Sequence, residues 1–93
     1  MAEHVRIMFA AMFREITGVR EITEEIAFGF TIRDVLSKLA RKYGKDFKDI
    51  INPETGQIDF GTLIIVNGKS IRRPDLKLRD NDFVMITVPF GGG

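Results

Sequence analysis

The sequence predicts an α+β fold, with one main helix packed across a mixed sheet of four to five strands. Residues 5–10 alternate between apolar and polar with the period of a strand. Residues 32–43 repeat apolar side chains at helical spacing. The second half of the chain then returns to short apolar runs separated by turn dipeptides.

In the first strand Val5, Ile7 and Phe9 share one face, and Arg6, Met8 and Ala10 the other. Ala11 to Thr17 reads as a short helix stopped by Gly18. Arg20 to Phe28 reads as a second strand with Ile22, Ile26 and Phe28 on one face. Glu24 falls on that face too, so the strand is expected at an edge or only partly buried. Thr31 is a suitable N-cap for the main helix, and Asp34 sits three residues on, where a capping box needs its acceptor. Ile32, Val35, Leu36, Leu39, Ala40 and Tyr43 form the apolar stripe, with Arg33, Ser37, Lys38, Arg41 and Lys42 opposite. Gly44 is expected to end the helix as a left-handed residue.

Residues 45–61 are polar and turn-rich, broken at Asn52-Pro53 and Thr55-Gly56. A helical turn at 47–51 followed by a loop is expected there. Leu63 to Val66 is continuously apolar, as in a strand covered on both faces. Asn67-Gly68 predicts a tight hairpin into Lys69 to Ile71. A turn at Arg79 to Asp82 leads into a last strand, Phe83 to Val88, closed by Pro89. Parallel pairing of the first and last strands would leave the tail free at one end of the sheet.

A chain of 93 residues fits one domain over 1–93, with 90–93 as a flexible glycine tail. Its 44% hydrophobic and 29% charged residues are an ordinary globular balance. No apolar run approaches the roughly 20 residues of a membrane span. No secretory leader is visible, so a cytoplasmic location is expected. A net charge of +1 gives no reason to expect nucleic acid as a partner. With no cysteine there is no disulfide, thiolate metal site or thiol nucleophile. The lone histidine, His4, reads as a solvated residue at a strand start, and no metal site is expected.

No nucleophile elbow, phosphate loop or paired His/Glu metal spacing is present. What stands out is the end of the chain. A strong strand leads into Pro89 and Phe90, then Gly91, Gly92 and Gly93. Glycine suits backbone that must pass a narrow space, and three extended residues reach about 10 Å. Such an arm could thread a terminal carboxylate into another protein's active site, its base stiffened by Pro89. A carboxylate becomes electrophilic once adenylated, and glycine obstructs the attacking group least. A glycine run taken alone favours the reading of a frayed terminus.

Several further segments accompany the tail. Val5-Arg6-Ile7-Met8-Phe9-Ala10-Ala11 precedes Arg14-Glu15-Ile16-Thr17-Gly18. Thr31-Ile32-Arg33-Asp34-Val35-Leu36 opens the helix, and Val66-Asn67-Gly68 forms the hairpin. Leu78-Arg79-Asp80-Asn81-Asp82-Phe83-Val84 leads into the last strand, and Pro89 to Gly93 closes the chain. In this order they resemble the MoaD/ThiS family of sulfur carriers over nearly the whole length. The likeness is strongest to the small subunit of molybdopterin synthase and to archaeal ubiquitin-like modifiers.

The resemblance implies a ubiquitin-like β-grasp fold. It also implies that Gly93 is adenylated by an E1-like enzyme, which uses ATP, and is then converted to a thiocarboxylate. The chain itself would bind no cofactor. Sulfur would pass to a pterin precursor in the large subunit of molybdopterin synthase during molybdenum cofactor synthesis. On its own the chain would be a non-catalytic carrier subunit. Phe90, Gly91, Gly92 and Pro89 would thread the tail, and with Gly93 last no protease would be needed to expose the reactive end. The alternatives are a modifier joined through Gly93 to target-protein lysines, or a sulfur carrier for tRNA thiolation or thiamine synthesis. Asn81 replaces a family glycine but tolerates the same turn conformation. Gly91 stands where the family often has another small residue, and the stretch 52–61 is longer than in compact bacterial members.

Lys69, Arg72, Arg73, Lys77 and Arg79 cluster within eleven residues. They read first as a solvated edge, and second as a docking patch for an acidic partner or RNA. Met8, Met12 and Phe13 are expected in the core. One face of the sheet could stay open for partners, with Met85, Thr87, Arg72 and Arg73 as docking candidates. Lys38 and Lys42 are candidate self-conjugation sites.

Overall fold

A computed structural model describes residues 2–89. Strand β1 (Glu3–Phe9) is followed by helix α1 (Met12–Thr17), strand β2 (Glu21–Ile26) and helix α2 (Ile32–Tyr43). A 3₁₀ turn (Lys45–Phe47) then leads to β3 (Leu63–Val66), β4 (Lys69–Ile71) and β5 (Phe83–Thr87). The sheet order is β2-β1-β5-β3-β4. β1 and β5 pair in parallel, and every other pairing is antiparallel. The α+β arrangement expected from the sequence is therefore present, with five strands and β2 at an edge.

Helix α2 starts with a complete capping box. Asp34 N–H donates to Thr31 Oγ1 at 3.2 Å, and Thr31 N–H donates to the Asp34 carboxylate at 2.9 Å. Ile32, Val35, Leu36 and Leu39 are buried from α2, against Val5, Ile7 and Phe9 of β1 and Val84 and Ile86 of β5. Phe47 meets Phe9, Phe13 and Tyr43 with ring centroids 5.6, 5.6 and 5.9 Å away. This aromatic cluster fastens the end of α2 to the end of β1. Glu24, 8% exposed, is not stranded on its apolar face: Lys38 and Lys42 reach it at 3.2 and 3.4 Å. The two lysines named as conjugation candidates are thus both engaged by one carboxylate.

The structure corrects several expectations. β2 ends at Ile26, because the chain turns there to enter α2 (Phe30 N–H to Ala27 C=O, 3.0 Å), and Phe28 is 96% exposed. Met12, in the first turn of α1, points outward at 48% exposure, whereas Phe13 is buried as expected. Residues 45–61 are not merely a polar loop: Phe47, Ile50 and Ile58 are buried, and Ile51 bridges Ile58. The helical turn there falls on 45–47, earlier than expected. Gly44 ends α2 at φ 119°, ψ 176°, an extended conformation open to glycine and distinct from the left-handed helix. The Asn67-Gly68 hairpin behaves as predicted, with both residues at positive φ (52° and 84°) as a type I′ turn requires. Among the described residues, no helix is long and apolar enough to cross a membrane.

Candidate functional site at the end of the last strand

β5 is held on both sides as far as Ile86, and on one side to its final residue, Thr87. Ile7 and Phe9 of β1 pair with Val84 and Ile86, and Ala10 N–H donates to Ile86 C=O at 3.0 Å. On the other side Leu63 of β3 pairs with Thr87. Val88 still packs on the core, and Pro89 is the first exposed residue after the strand. Proline lacks an N–H and has a fixed φ, so the ladder cannot extend through it and the exit direction is stiffened. Phe90, Gly91, Gly92 and Gly93 lie outside the described residues, so the threading role and the reactive carboxylate rest on the sequence.

The pairing registers define the sheet face turned away from α2. Met8 sits beside Met85, Met85 beside Ile65, and Thr87 beside Leu63. Phe83 lies beside Arg6. All of these except Arg6 are half-buried, and no element among the described residues covers them. Met85 and Thr87, proposed from the sequence, therefore stand on one apolar face that leads to the tail. Met8, expected in the core, stands instead on this face, because it alternates with the buried Ile7 and Phe9 along β1. Leu63, Ile65 and Phe83, which sequence reasoning did not assign to it, complete it. The misreading lay in β3. Ile64 and Val66 are buried, but Leu63 and Ile65 belong to the open face, so the continuous apolar run marks one covered face and one uncovered face. Exposed apolar patches of this kind mark interfaces more often than scattered apolar residues do.

The face has a fixed polar border. Arg6 stacks its guanidinium over the Phe83 ring at 4.8 Å and donates to the Glu21 carboxylate at 2.9 and 3.4 Å. The hydrogen bond from Arg6 holds the Glu21 carboxyl below the ordinary glutamate range, and Glu21 in turn raises the Arg6 pKa. Because the folded-state pKa of Glu21 is lowered, the pair contributes to stability above the ordinary glutamate range. That contribution is lost as pH falls through the lowered pKa. In an NMR titration, Glu21 should titrate below an ordinary glutamate and return upward in Arg6→Ala. An unchanged Glu21 pKa in that variant would contradict the pairing.

Arg72 and Arg73 have other partners. The Arg72 guanidinium donates to the Ile58 carbonyl at 2.9 Å and stacks over Phe60 at 4.7 Å. Arg73 pairs with Asp75 at 3.3 Å in the open solvent. Arg72 follows Ile71, which pairs with Ile64, so continuing the register sets it opposite Leu63, at the tail end of the sheet. Among the described residues, no hydrogen bond or ion pair brings Arg73 to that face.

A family model described as the ThiS family matches residues 7–93. The chain belongs to the ThiS family. Solved structures agree. A candidate molybdopterin converting factor, subunit 1, from Pyrococcus furiosus is 28% identical with a TM-score of 0.76, over 94% of this chain and 98% of that one. The small archaeal modifier protein 1 of Methanosarcina acetivorans is 26% identical with a TM-score of 0.74, over 100% and 99%. The HVO 2177 protein of Haloferax volcanii is 25% identical with a TM-score of 0.80, over 99% and 88%. No curated protein sequence is similar enough to count as a match. This ThiS-family chain therefore has the ubiquitin-like β-grasp fold, shared with a molybdopterin converting factor subunit and a small archaeal modifier protein.

Proposed function

We propose that this chain is a sulfur carrier that works through a thiocarboxylate at Gly93 as the small subunit of molybdopterin synthase. The observation that carries this reading is the family match, which runs through the glycine tail behind a strand fastened on both sides. A carboxylate oxygen of Gly93 attacks the α-phosphorus of ATP in an E1-like partner. Pyrophosphate leaves and an acyl-adenylate forms. Sulfide, delivered by a sulfur donor, attacks the glycyl carbonyl, and AMP leaves with its oxygen. The resulting thiocarboxylate is the group presented to the pterin precursor in the large subunit. Glycine at the last three positions keeps the arm thin enough to enter both active sites.

In this account the open face holds the globular body outside the partner while the tail is inside. Met85→Glu places a charge at the centre of that face without touching the core. It should weaken binding to the adenylating enzyme about tenfold or more, in keeping with central apolar contacts at interfaces. Isothermal titration checks this, with unfolding midpoints confirming an intact fold. Unchanged affinity would remove the face from the interface.

The similarity to the Methanosarcina modifier is nearly as high as that to the Pyrococcus converting factor, which favours a second reading. In it the activated Gly93 is attacked by a lysine amine and an isopeptide bond forms. The test is reconstitution with the adenylating enzyme, ATP and a sulfide source, followed by the large synthase subunit and the pterin precursor. Sulfur recovered in the pterin supports the carrier. Lysine-linked adducts without sulfurated pterin support the modifier.

A further inference from the structure

The basic cluster at 69–79 has no part in the tail chemistry, and the structure divides it in two. Arg72 and Arg73 are engaged as described above. Lys69, Lys77 and Arg79 make no ion pair among the described residues. These three line one groove of about 350 Å³, whose apolar residues include Ile71 and Leu76. Leu76, Lys77 and Arg79 also border an adjoining hollow of about 650 Å³, where Phe28 stands almost wholly in solvent. Leu76, at 37% exposure, thus sits among Lys69, Lys77 and Arg79 in the groove, and the exposed Phe28 sits beside Lys77 and Arg79 in the hollow, which Glu3 and Asp80 also line.

The groove is built, not incidental. Segment 74–78 is laced to the entry of α2: Arg33 N–H donates to Pro74 C=O at 2.8 Å, and Ile32 N–H to Leu76 C=O at 3.0 Å. Leu78 N–H donates to Phe30 C=O at 2.8 Å. Pro74 and Leu78 are buried, so the intervening Leu76 and Lys77 are turned outward on a fixed backbone. The carboxylates nearby are largely committed. Asp82 accepts from Asn67 Nδ2 and from Arg79 N–H, both at 2.8 Å, and Asp80 accepts from His4 N–H at 2.8 Å. Glu3 also lines the hollow.

We propose that this groove is a second docking surface, and that its occupant is an acidic peptide segment carrying an apolar side chain. Leu76 and Phe28 receive the apolar group, while Lys69, Lys77 and Arg79 face its carboxylates. A nucleic acid would be drawn to the cations, but it has no use for an apolar floor between them. The groove lies before the first residue of β5, whereas the tail leaves after the last. From Phe83 to Pro89 the strand rise separates the two by about 20 Å. A partner held in the groove therefore leaves the tail and the open face free, so one protein could retain the carrier while another acts on its carboxylate.

The experiment titrates the isotope-labelled full chain with a blocked hexapeptide, Leu-Phe flanked by two acidic residues on each side. Two controls accompany it: the same peptide with Asn and Gln for the acids, and a single-stranded RNA oligonucleotide of mixed sequence. Saturable amide shifts should appear at Lys69 to Ile71, Leu76 to Arg79 and Gly29, with affinity falling as salt is raised. Binding should drop about tenfold or more in the doubly reversed variant Lys77→Glu, Arg79→Glu. A Phe28→Ser variant should also weaken it, although the exposed ring contributes nothing to the core. Both variants should retain adenylation of Gly93, which separates this surface from the tail chemistry. Three results would overturn the proposal: no saturation up to about 1 mM, equal binding of the neutral peptide, or RNA displacing the acidic peptide from the groove.

Discussion

Deleting Gly93 should leave a chain that folds normally, still binds its adenylating enzyme and no longer forms an acyl-adenylate. The deletion removes about 3.3 Å of arm. The reacting carbonyl must stand at a fixed depth in the partner's site, and misplacement by about 1 Å can lower a rate by on the order of a hundredfold. The body is untouched, because β5 is anchored by Phe9–Ile86 and Leu63–Thr87 pairing, and among the described residues the core contains none beyond Val88. ATP–pyrophosphate exchange reads the effect. An added alanine after Gly93 should abolish exchange equally, because the carbonyl is then displaced in the other direction and carries a methyl group beside it. Exchange at the normal rate in both variants would mean that the tail is not the reacting group, and the chain would be better read as a binding module.

Leu39→Ala should destabilise the fold by about 2–5 kcal/mol. Leu39 is fully buried in the apolar stripe of α2, which packs against the core residues of β1 and β5. Truncation removes the side chain from its packing and leaves a cavity that the neighbouring strands, held in register on both sides, can only partly close. Chemical denaturation checks this. A loss below about 0.5 kcal/mol, the range of exposed substitutions, would mean that the stripe does not face the sheet. The variant also separates stability from function: at temperatures where it remains folded, its pyrophosphate exchange should be close to normal.

Local rules made most of this fold legible. The capping box at Thr31 and Asp34 is present with both hydrogen bonds. The type I′ hairpin at Asn67-Gly68 appears where its dipeptide predicts it, and Asn81 takes the positive φ (71°) that its place in the turn demands. The edge position of β2 followed from Glu24, whose neutralisation by Lys38 and Lys42 needed the helix in place to be seen.

The misreadings share a different cause. Phe28 fitted the period of β2, but periodicity cannot show where a chain must turn to reach the next element. Ile50 and Ile58 sit among turn residues, and they are buried because the long connection folds back under α2 and pairs Ile51 with Ile58. The open face was half visible. Met85 and Thr87 were picked from the last strand, but their neighbours Met8, Ile65 and Leu63 join them only through inter-strand register, which no single segment encodes. Arg72 and Arg73 were the two cations of their cluster chosen as docking candidates, yet they are the two that the structure engages. The carbonyl of Ile58, the ring of Phe60 and the carboxylate of Asp75 set them apart.

The central claim is that Gly93 carries sulfur, and intact-protein mass spectrometry of the chain isolated from its native host tests it most directly. A carrier should show a fraction of molecules heavier by the difference between sulfur and oxygen. That gain should map to the C-terminal peptide and disappear after treatment with an alkylating reagent that caps the thiocarboxylate. A chain found only at its unmodified mass, or only as lysine-linked conjugates, would contradict the account.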